Sequence, residues 1–223
     1  MFDAIAWRYD FLNHFLTLGI DNLWRRKAVS LINAKQGATF LDVATGTGDL
    51  AVTLVRHKQP AKVIGIDISA GMLAFGKKKM ERLGLDKTVT LRQEDCEALT
   101  LSDSSFEAVT VGFGIRNFLH PEQGLSEMHR VLKSGGELII LEFSRPTSKL
   151  LCKLFDTYFC YLLPLIGKVF SKHGSAYTYL PESVKQFPYG ENFAEMMRRT
   201  GFTDVVYIPL TFGVATVYKG VKK

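Results

Sequence analysis

FLDVATGTGDLA, Phe40 to Ala51, decides how this chain is read. Thr39 to Ala44 has the apolar run of a buried strand, and GDLAVTLVRHK continues with helical spacing. Between them, Gly46-Thr47-Gly48-Asp49-Leu50-Ala51 matches GxGxx[G/A], a turn that brings backbone close to a ligand. The pattern alone serves two ligand classes. One is a dinucleotide, whose pyrophosphate takes the free N–H groups at a helix start; the other carries positive charge.

Working outward, strand and helix signals alternate. KVIGIDIS (Lys62 to Ser69) predicts a second strand, and Ser69 is placed to cap a helix through MLAFGKKKMERLG. TVTLRQED (Thr88 to Asp95), FEAVTVGFG (Phe106 to Gly114) and GGELIILEFS (Gly135 to Ser144) predict three more strands. A helix is expected over Pro121 to Leu132, before the last of these. This βαβα rhythm predicts an α/β fold, a Rossmann-like and mostly parallel sheet covered on both faces. DVVYIPL and GVATVYKG are separated only by Thr211 and Phe212, which predicts an antiparallel hairpin at the end of the sheet. Residues 1–35 read as an N-terminal helical lid, with its second helix from about Asp21. Residues 145–189 break the rhythm with KLLCKLFDTYFCYLLPLIGKVF and read as a helical insertion. The whole chain is expected to form one domain.

Composition narrows the function classes. The 223 residues are 47% hydrophobic and 22% charged, enough for a substantial core. A formal charge of +6 suits an anionic partner or simple solubility, and its basic residues lie in short clusters such as Arg25-Arg26-Lys27. Three cysteines without a CxxC point to a reducing cytosol, hence a cytoplasmic protein. The five histidines show no ligand spacing, so no metal is expected. Nor does the amino terminus read as a signal peptide. The chain's most apolar stretch, Tyr158 to Gly167, is too short to cross a bilayer and contains Pro164.

Charge discriminates between the two ligands. Asp42 lies in the first strand and Asp49 opens the helix after the glycines. A carboxylate at about 4 Å from a phosphate costs roughly 4 kcal/mol at an effective dielectric of 20. S-adenosylmethionine has no phosphate; it carries a sulfonium and an ammonium beside one carboxylate. Asp67, ending the second strand, can accept both ribose hydroxyls, which suits NAD equally. Asp95, ending the third, can accept from an adenine amino group, while Cys96 offers its backbone N–H. Each acid alone has a plainer role: a helix start for Asp49, a cap for Asp67, a turn for Asp95. Acids ending successive strands behind one glycine turn form a methyltransferase constellation. The YxxxK relay of short-chain dehydrogenases is absent, and FGIRNF stands where amino-methylating nucleic-acid enzymes often carry NPPY or DPPY. No nucleic-acid partner is expected.

Three longer stretches carry a resemblance: YDFLNHFLTLGIDNLWRR (Tyr9 to Arg26), LDVATGTGDLA, and FGIRNFLHPEQGLSEMHRVLKSGGELIILEFSRP (Phe113 to Pro146). Together with Tyr177 to Ser183, they show that the chain resembles the ubiquinone/menaquinone biosynthesis C-methyltransferases over nearly its whole length. The resemblance implies the class I methyltransferase fold and methyl transfer from S-adenosylmethionine to a ring carbon of a polyprenyl hydroquinone, demethylmenaquinol being the first choice. A benzoquinol, another small phenolic acceptor, and a non-catalytic scaffold stay open. The donor site is expected at Asp42, Gly46, Thr47, Gly48, Asp67, Asp95, Cys96 and Gly112. Many relatives have glycine or cysteine in place of Ala44 or Thr45, and often serine at Gly112. Relatives usually carry a longer leader before the Tyr9 motif, so the expectation is a lid shortened at its start.

A ring carbon must be activated before it can attack a methyl group. Ionising a phenol of pKa near 10 at pH 7 costs about 4 kcal/mol. Arg116, just beyond the fourth strand, is the candidate to stabilise the phenolate, with a lid salt bridge or a pair with Glu142 as its structural alternative. Asn117 can orient a hydroxyl; His14, Tyr9 or Asp10 in the lid can act as base or relay, or simply pack. Phe155, Tyr158, Phe159, Tyr161, Leu162 and Leu163 either line a tunnel for the isoprenoid tail or pack the insertion down. Lys149, Lys153, Lys168 and Lys172 suggest peripheral contact with anionic lipid. Self-association into a homo-oligomer is left open.

Overall fold

The computed structural model describes residues 19–146 and 186–223, with 148, 152, 153, 157, 183 and 184 from the intervening segment. The expected His14, Tyr9 and Asp10, and all six tunnel residues, lie outside the described residues, as do Lys149, Lys168 and Lys172. Lys153 and Thr157 are helical and exposed.

Among the described residues, five α-helices and seven strands have both ends placed. In chain order they are α1 (Asp21–Ser30), β1 (Thr39–Val43), α2 (Asp49–Lys58), β2 (Lys62–Asp67), α3 (Ala70–Arg82), β3 (Val89–Gln93), β4 (Phe106–Gly112), α4 (Pro121–Val131), β5 (Leu132–Phe143), α5 (Glu191–Arg199), β6 (Thr203–Leu210) and β7 (Ala215–Val221). One sheet contains all the strands, in the order β3-β2-β1-β4-β5-β7-β6. The first five are parallel, whereas β7 runs antiparallel to both β5 and β6. The parallel sheet with an antiparallel end is as the sequence predicts. From β1 the chain steps outward to β2 and β3, then returns to place β4 on β1's other side. That reversal opens a crevice beyond the carboxyl ends of β1 and β4.

Period-two alternation divides the core between the two faces. Phe40, Ala108, Ile139 and Leu141 pack beneath α1, α2 and α3 with Trp24, Ala28, Leu54 and Leu73. Leu41, Val43, Val109, Leu138 and Ile140 face the opposite way, against Leu125 and Met128 of α4 and Phe193 and Met197 of α5. Because both faces are covered, the central strands read as continuous apolar runs.

Several boundaries differ from the sequence expectation. β3 stops at Gln93 and β4 at Gly112, so Asp95 and Phe113 fall in loops. Phe113 has φ +57, which no strand accommodates. β5 starts at Leu132, with a register shift opposite Phe106 and Ala108 where Gly135 turns at φ +76. The hairpin needs the four residues 211–214, with Thr211 and Phe212 both at positive φ.

α1 packs along one face of the sheet, its first turns near the carboxyl ends of β4 and β5, and is tied to the hairpin. Trp24 Nε1 donates to Thr211 Oγ1 at 2.8 Å in the hairpin turn. Its indole also meets Phe113 and Phe143, each with ring centroids 6.2 Å away. At the other end, Lys219 Nζ donates to the Leu31 carbonyl at 2.8 Å, and Asn33 donates to Glu137.

Candidate active site

The crevice is a cleft at the carboxyl ends of β1, β2, β3 and β4. Every expected donor residue except Gly48 is part of its lining: Asp42, Gly46, Thr47, Asp67, Asp95, Cys96 and Gly112. Gly48 stands one residue behind, as the N-cap of α2 with φ +86. A Cβ there would meet only the movable end of Met80, so it is the left-handed conformation that calls for glycine.

Asp42 anchors the floor. It sits opposite Thr110 in the β1–β4 pairing and is wholly buried. Thr110 Oγ1 donates to its Oδ1 at 2.7 Å and Thr45 Oγ1 to its Oδ2 at 2.6 Å. Burial pushes the carboxyl pKa up to about 6, against the pull of those two hydroxyls and of Arg25. Just past the strand, Ala44 takes φ +52, a conformation that favours glycine. Gly114 makes room for it: a Cβ on Gly114 would lie 2.4 Å from the Ala44 methyl.

Asp67 ties the glycine turn to α3. Its Oδ2 accepts the Gly46 N–H and its Oδ1 the Ser69 N–H, both at 2.8 Å. Ser69 caps α3 by accepting from the Met72 N–H at 3.2 Å, as the sequence predicts. Asp95 Oδ1 accepts the Glu97 N–H at 2.9 Å, fixing the loop after β3. Glu97 in turn accepts the His120 N–H at 2.9 Å, which bridges to the loop after β4. The Cys96 thiol is pushed up to about 12 by burial and by the neighbouring carboxylates, Asp95 foremost.

Asp49 does not stand as the bare carboxylate that the sequence suggests. Lys79 Nζ reaches its Oδ1 at 2.8 Å and Thr47 Oγ1 at 3.0 Å, while Arg25 approaches its Oδ2 at 3.4 Å. Its charge is offset, so exclusion of a pyrophosphate falls to Asp42, Asp67, Asp95 and the unanticipated Glu94 and Glu97. Arg25 is a further lining residue that sequence reasoning missed. Ile68, Met72, Phe118 and Leu119 supply an apolar wall.

The expected acceptor residues separate. Asn117 lines the cleft, in the short 3₁₀ turn Ile115–Asn117. Arg116 points back into the protein, with a side chain only 6% exposed. Its Nη1 donates to Glu142 Oε1 at 2.7 Å and to the Phe113 carbonyl at 2.5 Å, and its guanidinium lies 5.5 Å from the Phe143 ring centre. The pair with Glu142 is therefore the arrangement seen.

The residues fit a ligand with one cationic end, a ribose and a flat base. Among the described residues no group of three or more His, Cys, Asp or Glu side chains is placed to hold a metal.

Comparison with known proteins agrees. The model of the ubiE/COQ5 methyltransferase family matches residues 1–222. The chain is 46% identical over its full length to a demethylmenaquinone methyltransferase of Bacteroides fragilis, covering 91% of that protein. It is 47% identical over its full length to the ubiquinone/menaquinone biosynthesis C-methyltransferase UbiE of Geobacter sulfurreducens, covering 87%. Among solved structures, a SAM-dependent methyltransferase of Thermotoga maritima superposes with a TM-score of 0.70 at 22% identity, over 100% of this chain and 98% of that one. The phosphoethanolamine N-methyltransferase 2 of Haemonchus contortus, in complex with S-adenosyl-L-methionine, gives 0.67 at 16% identity, over 89% and 52%. At such identities the structural likeness speaks for the fold.

Proposed function

The chain belongs to the ubiE/COQ5 methyltransferase family, and from that premise we propose that it methylates a ring carbon of a polyprenyl hydroquinone, demethylmenaquinol, to give menaquinol. It is an S-adenosylmethionine-dependent C-methyltransferase. The observation that carries the choice of acceptor is the length of the match. It runs over residues 1–222, including the stretches 1–35 and 145–189 that the sequence reads as lid and insertion.

When bound, S-adenosylmethionine supplies an electrophilic methyl group. The chain's own residues hold and orient it. In our proposal Gly46, Thr47 and Gly48 meet the amino-acid end, with Asp42 beneath as a counter-charge. Asp67 accepts from the ribose hydroxyls. Asp95 and the Cys96 N–H meet the adenine edge between Ile68 and Leu119, and Gly112 leaves the side towards the acceptor open. Asn117 orients the acceptor hydroxyl. Arg116 stabilises the ring oxygen as it loses its proton, by exchanging part of its bond to Glu142 for the acceptor. His14 is the proposed base or relay.

The test is turnover of a reduced, short-chain demethylnaphthoquinol with deuterium-labelled donor, read by mass spectrometry. A product heavier by one labelled methyl on carbon is expected; none would reject the acceptor. The matching benzoquinol, run alongside, decides the ring type. Arg116→Ala should keep donor affinity while slowing methylation, and unchanged turnover would remove Arg116 from the mechanism.

Peripheral contact with a membrane has its own support. Leu119, Phe212 and Ile68 are 86%, 78% and 67% exposed, the most open large apolar side chains among the described residues. All three sit at the carboxyl end of the parallel strands, around the cleft's side of the sheet. No described helix is long and apolar enough to cross a membrane. Flotation with anionic vesicles is expected to carry the protein upward at low salt and to fail for Leu119→Ser/Phe212→Ser. Equal flotation of both proteins would reject this rim as the contact.

A further inference from the structure

Six carboxylate residues line the cleft, and among the described lining residues Arg25 is the single lysine or arginine. It arrives on α1, outside the strand–turn–helix unit that builds the rest of the donor site. Its side chain is 7% exposed. Nη1 donates to Asp21 Oδ2, one turn earlier on α1, at 2.6 Å. Asp21 is itself buried, which fixes the guanidinium's direction.

The other edge of the guanidinium is only loosely engaged. Nη2 comes no nearer than 3.4 Å to Asp49 Oδ2, well beyond the 2.7–2.9 Å of a full charge-assisted hydrogen bond. Asp49 instead takes its close contact from Lys79, at 2.8 Å. That edge keeps N–H capacity beside Gly46, Thr47 and the amino end of α2, where the helix dipole also favours negative charge.

Packing does not require a cation there. Trp24, Ala28, Val29 and Ile32 already bury α1, and Trp24 and Lys219 bond it to the rest of the fold. A buried ion pair kept only for packing is often replaceable by apolar residues without loss. The donor, for its part, carries one anionic group, the α-carboxylate of its amino-acid end. In a cleft of acids that carboxylate needs a cation.

We propose that Arg25 receives the donor's α-carboxylate and selects ligands that retain it over truncated nucleosides. The proposal rests on S-adenosylmethionine being the donor. It makes α1 part of the donor site, with Asp21 as the positioning residue.

Calorimetry with wild type, Arg25→Gln and Arg25→Lys tests it, using S-adenosylhomocysteine, decarboxylated S-adenosylmethionine and 5′-methylthioadenosine. Arg25→Gln should weaken S-adenosylhomocysteine by roughly 10- to 100-fold, the range for one hydrogen bond to a charged group. Methylthioadenosine, which has no carboxylate, should bind both proteins alike. Arg25→Lys should recover part of the loss. Wild type should prefer S-adenosylmethionine to its decarboxylated form, a comparison that needs no variant and stands if Arg25→Gln fails to fold. Equal loss for both ligands in Arg25→Gln would make Arg25 structural and overturn the proposal. So would equal wild-type affinity with and without the carboxylate. Failure of wild type to bind S-adenosylhomocysteine at all would overturn the donor assignment, and this proposal with it.

Discussion

Asp42→Asn isolates the charge at the floor of the cleft. In the folded protein burial raises the Asp42 pKa from an ordinary 3.8 to about 6. At about 1.4 kcal/mol per pKa unit, that gap corresponds to roughly 3 kcal/mol of preference for the protonated form on folding. The folded pKa lies above the unfolded one. The associated stability is therefore full below about pH 4 and is lost as pH rises through about 6. Asparagine cannot titrate, so it removes this dependence. Urea unfolding of both proteins from about pH 4 to pH 7 is the assay, read as the difference between them so that other groups cancel. Wild type should lose roughly 3 kcal/mol relative to the variant across that window. A difference that stays constant with pH would refute the buried, raised carboxyl. The same titration should weaken S-adenosylhomocysteine binding to wild type below about pH 6 but not to Asp42→Asn.

Other perturbations test separate parts. Gly114→Ala would drive a Cβ to 2.4 Å from the Ala44 methyl, and a loss of about 1–3 kcal/mol is expected in thermal unfolding. Adding Ala44→Gly should restore stability, and no rescue would mean that the two carbons do not collide. Glu142→Gln removes the carboxylate bonded at 2.7 Å to the buried Arg116 guanidinium, and chemical denaturation should show a loss of up to about 3–5 kcal/mol. Equal stability would show that Arg116 turns to another anion. With its pKa pushed up to about 12, the Cys96 thiol stays neutral, so peptide-mapped alkylation should not accelerate from pH 7 to pH 9 as it does for an ordinary thiol.

The glycine turn and the strand-end acids were legible because their signals are local. Gly46, Asp67 and Asp95 stand beside their strands in sequence, and strand order alone brings those strand ends together. Ser69 as a cap was equally plain from its place before an apolar-periodic run. What escaped depends on tertiary docking. Nothing in IDNLWRR shows that α1 docks on the sheet with Arg25 turned into the cleft. The same docking, with Lys79 reaching over from α3, offsets the Asp49 charge on which the exclusion of phosphate first rested. Arg116 follows β4 as expected, but its direction is set by Glu142, 26 residues later, and sequence spacing does not reveal which way a side chain turns.

The bond from Trp24 to Thr211 joins residues 187 positions apart. During synthesis the strand–turn–helix core can leave the ribosome and pair early, while the helix carrying Arg25 gains its bond to the β6–β7 turn only later. One contact that holds this helix beside the donor cleft thus closes only after every residue lining the cleft has been made. A chain halted before that turn would hold Arg25 on a helix short of one tether, and would capture donor more weakly.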